Sequence, residues 1–309
     1  MFTMQPEADS VQIIPSEKLE WHPCWSQLGR SDLKCARLTV PMDYNRPLNA
    51  SIDNPKVHIA LTLVPGKHIG SKNHSTSPLL LNPGGPGGPG ATFALFAGPM
   101  LQKIVGADQD VIGFDPRGIG ATTPRADCFS NPPWSGGEED DLADGLLQRI
   151  LWMISGNEVG NVNSSSDALF KLDTRARTIA KLCQRKDSMH GKDSILRYVH
   201  TPSVARDMIS IIDAWDEWTA SESSSETLEE RSSSETSESG DLDAKGKLSY
   251  WGFSYGVSYT SKIVLLILTG DVTDAPRCNI RIDVSQPRPS NGPRWRCGCR
   301  PLRCSCLGK

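Results

Sequence analysis

The chain is short of several things, and each shortage removes a class of function. No apolar run approaches the roughly 18 residues that a bilayer span requires; Ile263 to Leu268 is far too brief. Met1 to Ser10 lacks the basic flank and apolar core of a secretory leader, so the chain reads as cytoplasmic as written, or as secreted if a leader is missing from it. Charge of one sign is scarce too. A net charge of -3 gives no reason to expect nucleic acid or an anionic membrane as partner. Histidine is the most telling shortage: there are six, and none follows His200.

What is present fits a globular protein. A length of 309 residues holds one large α/β domain or two small ones. Nine cysteines are divided unevenly. Cys24, Cys35, Cys128 and Cys183 are scattered, whereas Cys278, Cys297, Cys299, Cys304 and Cys306 crowd the end. Asn49, Asn73 and Asn163 each open an Asn-x-Ser sequon, which suits a secreted protein but arises easily by chance in a serine-rich chain. Compartment stays open on these signals.

In chain order, residues 1–34 read as an irregular segment with Trp21, Cys24 and Trp25 as anchors. Residues 35–128 read as the first half of an α/β core. Cys35 to Pro41 and Lys56 to Val64 are strands, the second alternating with period 2 over much of its length, and His58 is a half-buried strand residue within it. Leu79-Leu80-Leu81 is a buried strand that opens into Asn82-Pro-Gly-Gly-Pro-Gly-Gly-Pro-Gly90. Such a loop offers backbone N–H groups and room to approach them. The Gly-Lys-Ser/Thr of a phosphate-binding loop is missing. Ala91 to Val105 then resumes as a helix and Gln109 to Phe114 as a strand ending in Asp115-Pro-Arg117, where Asp115 and Arg117 can pair and brace the turn. Residues 129–200 form a helical insertion and partial lid, with helices over 141–155 and 166–184. Pro202 to Trp218 carries the helical stripe Val204, Met208, Ile211, Ile212, Trp215. Thr219 to Lys247, dominated by Ser and Glu, reads as a disordered acidic loop. From Pro276 onward Arg and Cys dominate without apolar periodicity, so 276–309 is expected to be a disordered tail. Its two Cys-x-Cys pairs could bind a soft metal, but no compact domain surrounds them, and no metal or cofactor is expected.

The remaining stretch is Ser249-Tyr-Trp-Gly-Phe-Ser-Tyr-Gly256, a β-prone run meeting Gly-x-Ser-x-Gly. That pattern is a nucleophile elbow. A strand reverses into a helix within a few residues, so Ser254 takes a strained conformation, and Gly252 and Gly256 are small so that strand and helix can pass. The hydroxyl is then lifted to a helix N-terminus, where free N–H groups favour developing negative charge.

Both loops together, with Cys35 to Tyr44, Asp115 to Gly120 and Ala205-Arg-Asp207, make the chain resemble an α/β-hydrolase of the proline-iminopeptidase and tripeptidyl-aminopeptidase group, from about residue 20 to 258. Asn82, where the iminopeptidase branch has histidine, points to the tripeptidyl-aminopeptidase-like branch; Pro89, where serine is common, departs from it. The resemblance implies an α/β fold with a mostly parallel sheet and Ser254 as nucleophile. It implies an oxyanion hole from the Tyr255 N–H and one N–H of the Gly84-Gly85 turn, and a small peptide or ester as substrate. It also implies Cys24–Cys35 and Cys128–Cys183 disulfides, and hence an oxidising compartment.

One departure matters more than the others. The family's triad runs Ser, Asp, His along the chain, yet Ser254 is followed by no histidine, and Asp271 and Asp274 come too soon after it. Of the upstream histidines, His58, His190 and His200 precede the turn. The expectation is therefore a serine hydrolase by descent, incomplete at its C-terminal end, with little or no turnover in this chain. A non-catalytic cleft-binding protein, or a truncated product without function, are the alternatives.

Overall fold

The computed structural model describes residues 13–46, 54–68, 74–129, 142–226 and 248–259, together with the backbone of three short strands beyond them. The chain divides into two compact units, residues 1–124 with 200–309, and residues 125–199.

The first unit is built on a seven-stranded sheet. Its strands are β1 (His22–Pro23), β2 (Lys34–Pro41), β3 (Lys56–Val64), β4 (Leu79–Asn82), β5 (Val111–Phe114), β6 (Ser249–Gly252) and β7 (Arg281–Ile282), in the order β1-β2-β3-β5-β4-β6-β7. β2 and β3 pair antiparallel along their whole length, from Lys34 opposite Leu63 to Pro41 opposite Lys56. β3 also runs antiparallel to β5, whereas β5, β4, β6 and β7 are mutually parallel. β4 and β5 are buried at every position, as short apolar runs covered on both faces must be. A mixed sheet flanked by helices is an α/β fold.

Helix α1 (Gly90–Val105) follows the glycine-rich loop and packs on β3, β4 and β5. It approaches the sheet at a point where no side chain fits: a Cβ on Gly90 would collide with the Phe114 carbonyl, and one on Gly113 with the Gly90 carbonyl. The helix is then tied down at its far end by Gln102, whose Nε2 donates to the carbonyls of Val64, Pro65 and Gln109. Its outward side keeps Phe96, Met100 and Ile104 exposed at intervals of four residues.

The second unit holds α2 (Leu142–Val159) and α3 (Ala168–His190). The Cys128–Cys183 bridge closes it, and Arg175 lies 4.0 Å over the Trp152 ring while donating to Ser155 Oγ. The other bridge, Cys24–Cys35, sits in the core of the first unit, with both residues 1% exposed.

Helix α4 (Thr201–Glu226) buries Val204, Met208, Ile211, Ile212 and Trp215, the stripe its spacing predicts. It does not stop at Trp218. The turn beyond is held by hydroxyls that bond back to carbonyls, Thr219 Oγ1 to Trp215 and Ser221 Oγ to Trp218. The start of the expected acidic loop is thus helical, and residues 227–247 lie outside the described ones. Beyond residue 276 the described backbone comprises three short strands. β7 pairs with β6 through Ser249–Arg281 and Tyr250–Ile282, so β6 is not the sheet edge, and β8 (Trp295–Arg300) and β9 (Arg303–Gly308) form an antiparallel ribbon.

A second correction concerns Arg117. It does not pair with Asp115. Both of its sides grip Asp207 of α4, Nε to Oδ2 at 2.8 Å and Nη2 to Oδ1 at 2.6 Å, and its remaining donors reach the carbonyls of Pro41 and Met42. Tyr44 donates to the same carboxylate at 2.7 Å and presents its ring 5.2 Å from the guanidinium. Burial opposes the charge on Arg117, but Asp207 outweighs it and the guanidinium is raised above its ordinary value. Burial, then the Asp207 charge, pushes the Tyr44 phenol well up, so it stays a donor. Asp115 serves another purpose. Its two oxygens accept the N–H groups of Ala91 and Ala121, fastening the start of α1 to the turn after β5.

Candidate active site

Two loops leave the same end of the parallel strands and meet. β4 ends at Asn82 and β6 at Gly252, which face each other in register. The Phe253 N–H donates to the Asn82 carbonyl at 3.0 Å, so the two chains stay joined one residue beyond the sheet.

From there β6 turns sharply. Ser254 has φ 51, one of two non-glycine residues in the left-handed region among the described residues. For an L-residue this is costly and persists only where surroundings enforce it. Here Gly256 N–H bonds to Phe253 O at 2.8 Å, Val257 N–H to Ser254 O, and Ser258 N–H to Tyr255 O, starting a helical turn at once. Tyr250, buried under the turn, donates from its hydroxyl to the Gly256 carbonyl at 2.9 Å. Burial pushes that phenol far up and keeps it protonated. The glycines flanking Ser254 are explained by the same contact: a Cβ on Gly252 would lie 2.6 Å from the Tyr250 hydroxyl, and one on Gly256 3.1 Å from it.

The glycine-rich loop lies against this turn. Gly84, at φ 88, sits so close that an added Cβ would collide with the Phe253 carbonyl, and would lie 2.9 Å from Tyr255 N and 3.0 Å from Ser254 Cβ. Not every N–H of the loop is available. Gly84 N–H donates to the Asn82 side-chain oxygen at 2.8 Å, and Gly88 N–H to the Gly84 carbonyl. Neither the Gly85 nor the Tyr255 N–H has an acceptor among the described residues. Asn82 is 1% exposed, and its Nδ2 is likewise without a partner among them. This division between spent and free donors was not readable from glycine spacing, because a side-chain carboxamide makes it.

Ser254 is exposed, and its hydroxyl has no hydrogen-bond partner among the described residues. The histidines are engaged elsewhere. His58 shares a 3.0 Å hydrogen bond with Thr39 inside the β2–β3 ladder, and burial, with Arg37 and Lys56 nearby, lowers its imidazole. His200 folds back on the start of α4, where Ser203 N–H donates to its Nδ1 at 3.3 Å. His190 belongs to the other unit. The residue after His200 does reach the turn: Thr201 Oγ1 lies 3.0 Å from the Tyr255 hydroxyl, and the Tyr255 ring stands edge-on to Tyr259. Burial, aided by Tyr255, moves the Tyr259 phenol up to about 12. Beside the turn Phe93, Trp251 and Phe253 form a half-buried aromatic group, with centroids 5.3 and 5.8 Å apart. No group of three or more His, Cys, Asp or Glu suited to a metal occurs among the described residues. No described helix is long and apolar enough to cross a membrane.

The chain resembles curated proteins over part of its length. It is 36% identical over 121 residues to serine protease Hip1 of Mycobacterium tuberculosis, covering 37% of this chain and 21% of that protein. It is 31% identical over 149 residues to carboxylesterase B of the same organism, covering 46% and 27%. Tripeptidyl aminopeptidase of Streptomyces coelicolor is 32% identical over 111 residues, covering 34% and 19%. The matched part spans about a fifth to a quarter of the length of these relatives. No family model matches the chain. The relatives' names support a hydrolase family without choosing among protease, esterase and aminopeptidase.

Proposed function

We propose that the chain carries the nucleophile and oxyanion-binding part of an α/β-hydrolase serine site, with peptides or esters as the substrate class. The observation that carries this reading is the seat of Gly84 directly against Ser254. In it the turn at 252–256 is a nucleophile elbow. Ser254 Oγ attacks the substrate carbonyl, and the oxyanion that forms is received by the N–H groups of Tyr255 and Gly85, which have no acceptor among the described residues. Gly84 contributes by absence, since any side chain there would displace the turn. Two preorganised donors of this kind are worth several kcal/mol of transition-state stabilisation, each costing about 10²–10³ in rate when removed.

Proton transfer is the missing half. A serine hydroxyl without a base is a weak nucleophile at neutral pH, and the described residues bring no imidazole to Ser254. The 309 residues therefore retain acyl recognition and lose most turnover, leaving at most the residual rate that an oxyanion hole supplies alone. The relatives' printed names suggest tripeptidyl, aminoacyl and simple ester substrates, and these define the assay. Purified chain is incubated with chromogenic versions of each, beside Ser254→Ala. Slow acylation lost on substitution supports the reading. Rapid, triad-like turnover would show that a base reaches Ser254 after all, and turnover indifferent to Ser254→Ala would remove the serine from the chemistry. Binding of substrate analogues without turnover would favour the cleft-binding alternative, which the exposed and unpaired hydroxyl also suits.

A further inference from the structure

The site described above uses neither the disulfides nor the sequons, and one sequon lies in a described part of the chain. Asn163-Ser164-Ser165 sits in the connection between α2 and α3, exposed at all three positions. The turn is shaped without Asn163: Asn161 N–H donates to Ser164 Oγ at 2.7 Å, and Ser164 N–H to the Asn161 carbonyl at 2.9 Å. The Asn163 carboxamide has no hydrogen-bond partner among the described residues. Its apolar neighbours in sequence are exposed as well, Val162 at 53%, Leu169 at 62% and Phe170 at 73%. Three exposed apolar side chains within seven residues of Asn163 leave apolar surface that a bulky polar group nearby in sequence can cover. Separately, each unit holds a disulfide, and one of the two is buried in a core. Such bridges form and persist in oxidising compartments, and those compartments are where Asn-x-Ser acceptors are glycosylated.

We propose that Asn163 is an N-glycosylation site, and that the attached sugar shields apolar side chains near it in sequence. The donor is an oligosaccharide linked to a polyprenyl pyrophosphate. The Asn163 carboxamide nitrogen forms a bond to C1 of the first sugar, the bond from C1 to the pyrophosphate oxygen breaks, and the lipid pyrophosphate leaves with that electron pair. The nitrogen gives up one proton to a base, and no atom changes oxidation state. Transfer acts on the chain before the turn has closed, so the hydrogen bond from Ser165 Oγ to Asp167 in the folded protein (2.7 Å) is no obstacle. The fold's part is to leave the product in solvent.

The test is a peptide map of the full chain purified from its own cells, before and after peptide-N-glycosidase, with the four cysteines assayed for free thiol in the same sample. The expected result is an occupied Asn163 together with bridged Cys24–Cys35 and Cys128–Cys183. A bare Asn163 in disulfide-bonded protein overturns the proposal, as does a bare Asn163 with free thiols. Translation of the full chain into glycosylating microsomes behind a cleavable leader gives a second reading that does not depend on folding. There Asn163→Gln and Ser165→Ala each remove the same single mobility step, whereas Ser164→Ala keeps it. Equal mobility of the wild type and Asn163→Gln counts against the site.

Discussion

The Arg117–Asp207 pair offers the sharpest test of how the first unit is held together. Both side chains are fully buried, and the carboxylate is gripped from two sides at 2.6 and 2.8 Å. Replacing Arg117 by methionine keeps the volume of the stem and removes the charge. Asp207 is then left with the Tyr44 hydroxyl as its side-chain donor among the described residues, and the carbonyls of Pro41 and Met42 lose theirs. An uncompensated buried charge costs about 3–5 kcal/mol. At about 2–4 °C per kcal/mol for a unit of this size, the melting temperature falls by roughly 6–20 °C. Urea unfolding followed by tryptophan fluorescence reads the change, since Trp215 lies on the same helix as Asp207. The decisive measurement is the cycle completed by Arg117→Met/Asp207→Leu. With both charges gone nothing buried is left unpaired, so the double variant is more stable than Arg117→Met alone. A cost below about 1 kcal/mol for Arg117→Met, or a double variant that merely sums its singles, would refute the argument.

Three further outcomes follow from the same structure. Gly84→Ala forces a Cβ into the Phe253 carbonyl at a left-handed φ, so it costs at least about 1–2 kcal/mol in denaturant melts and abolishes whatever acylation Ser254 shows. His74 lies 4.3 Å from Trp218 and 6.0 Å from Trp215. Burial lowers it from 6.5, Lys34 and His68 add to the effect, and Asp110 and Glu222 oppose it. The folded state therefore binds fewer protons there than the unfolded one, and its stability contribution is complete above pH 6.5 and lost as pH falls below that value. Fluorescence-monitored melts across this window will show the loss, and His74→Phe will flatten it. Selective reduction of Cys128–Cys183, which closes a separation of 55 residues, destabilises the second unit by about 4 kcal/mol on the chain-entropy estimate, read as earlier proteolysis of 125–199.

How much of this was legible in the sequence depends on the range of the interaction. β3 runs from Lys56 to Val64 as its alternation predicts, and the buried side of α4 carries the expected five residues. These are local patterns with a period. The glycine-rich loop and the Gly-x-Ser-x-Gly turn do lie together, because both continue neighbouring parallel strands. Adjacency in sequence offers Asp115 as the partner of Arg117, while its real one stands 90 positions away on a helix. The two-residue β7 had no periodicity to reveal it. Helix α4 outran its apolar stripe because serine and threonine hydroxyls can be satisfied by the helix's own carbonyls. Which loop N–H groups are free was invisible for a similar reason, since Asn82 decides it with a side chain.

The seat of Gly84 against Ser254 has a consequence for biogenesis. The two residues are distant along the chain, and the contact between them exists only in the folded sheet. Closing so long a span costs entropy that only the docking of β6 beside β4 can repay. Contacts of that separation are among the last to form. Until the residues after α4 have been added and β6 has docked beside β4, the turn around Ser254 lacks the Gly84 surface it packs against in the folded protein.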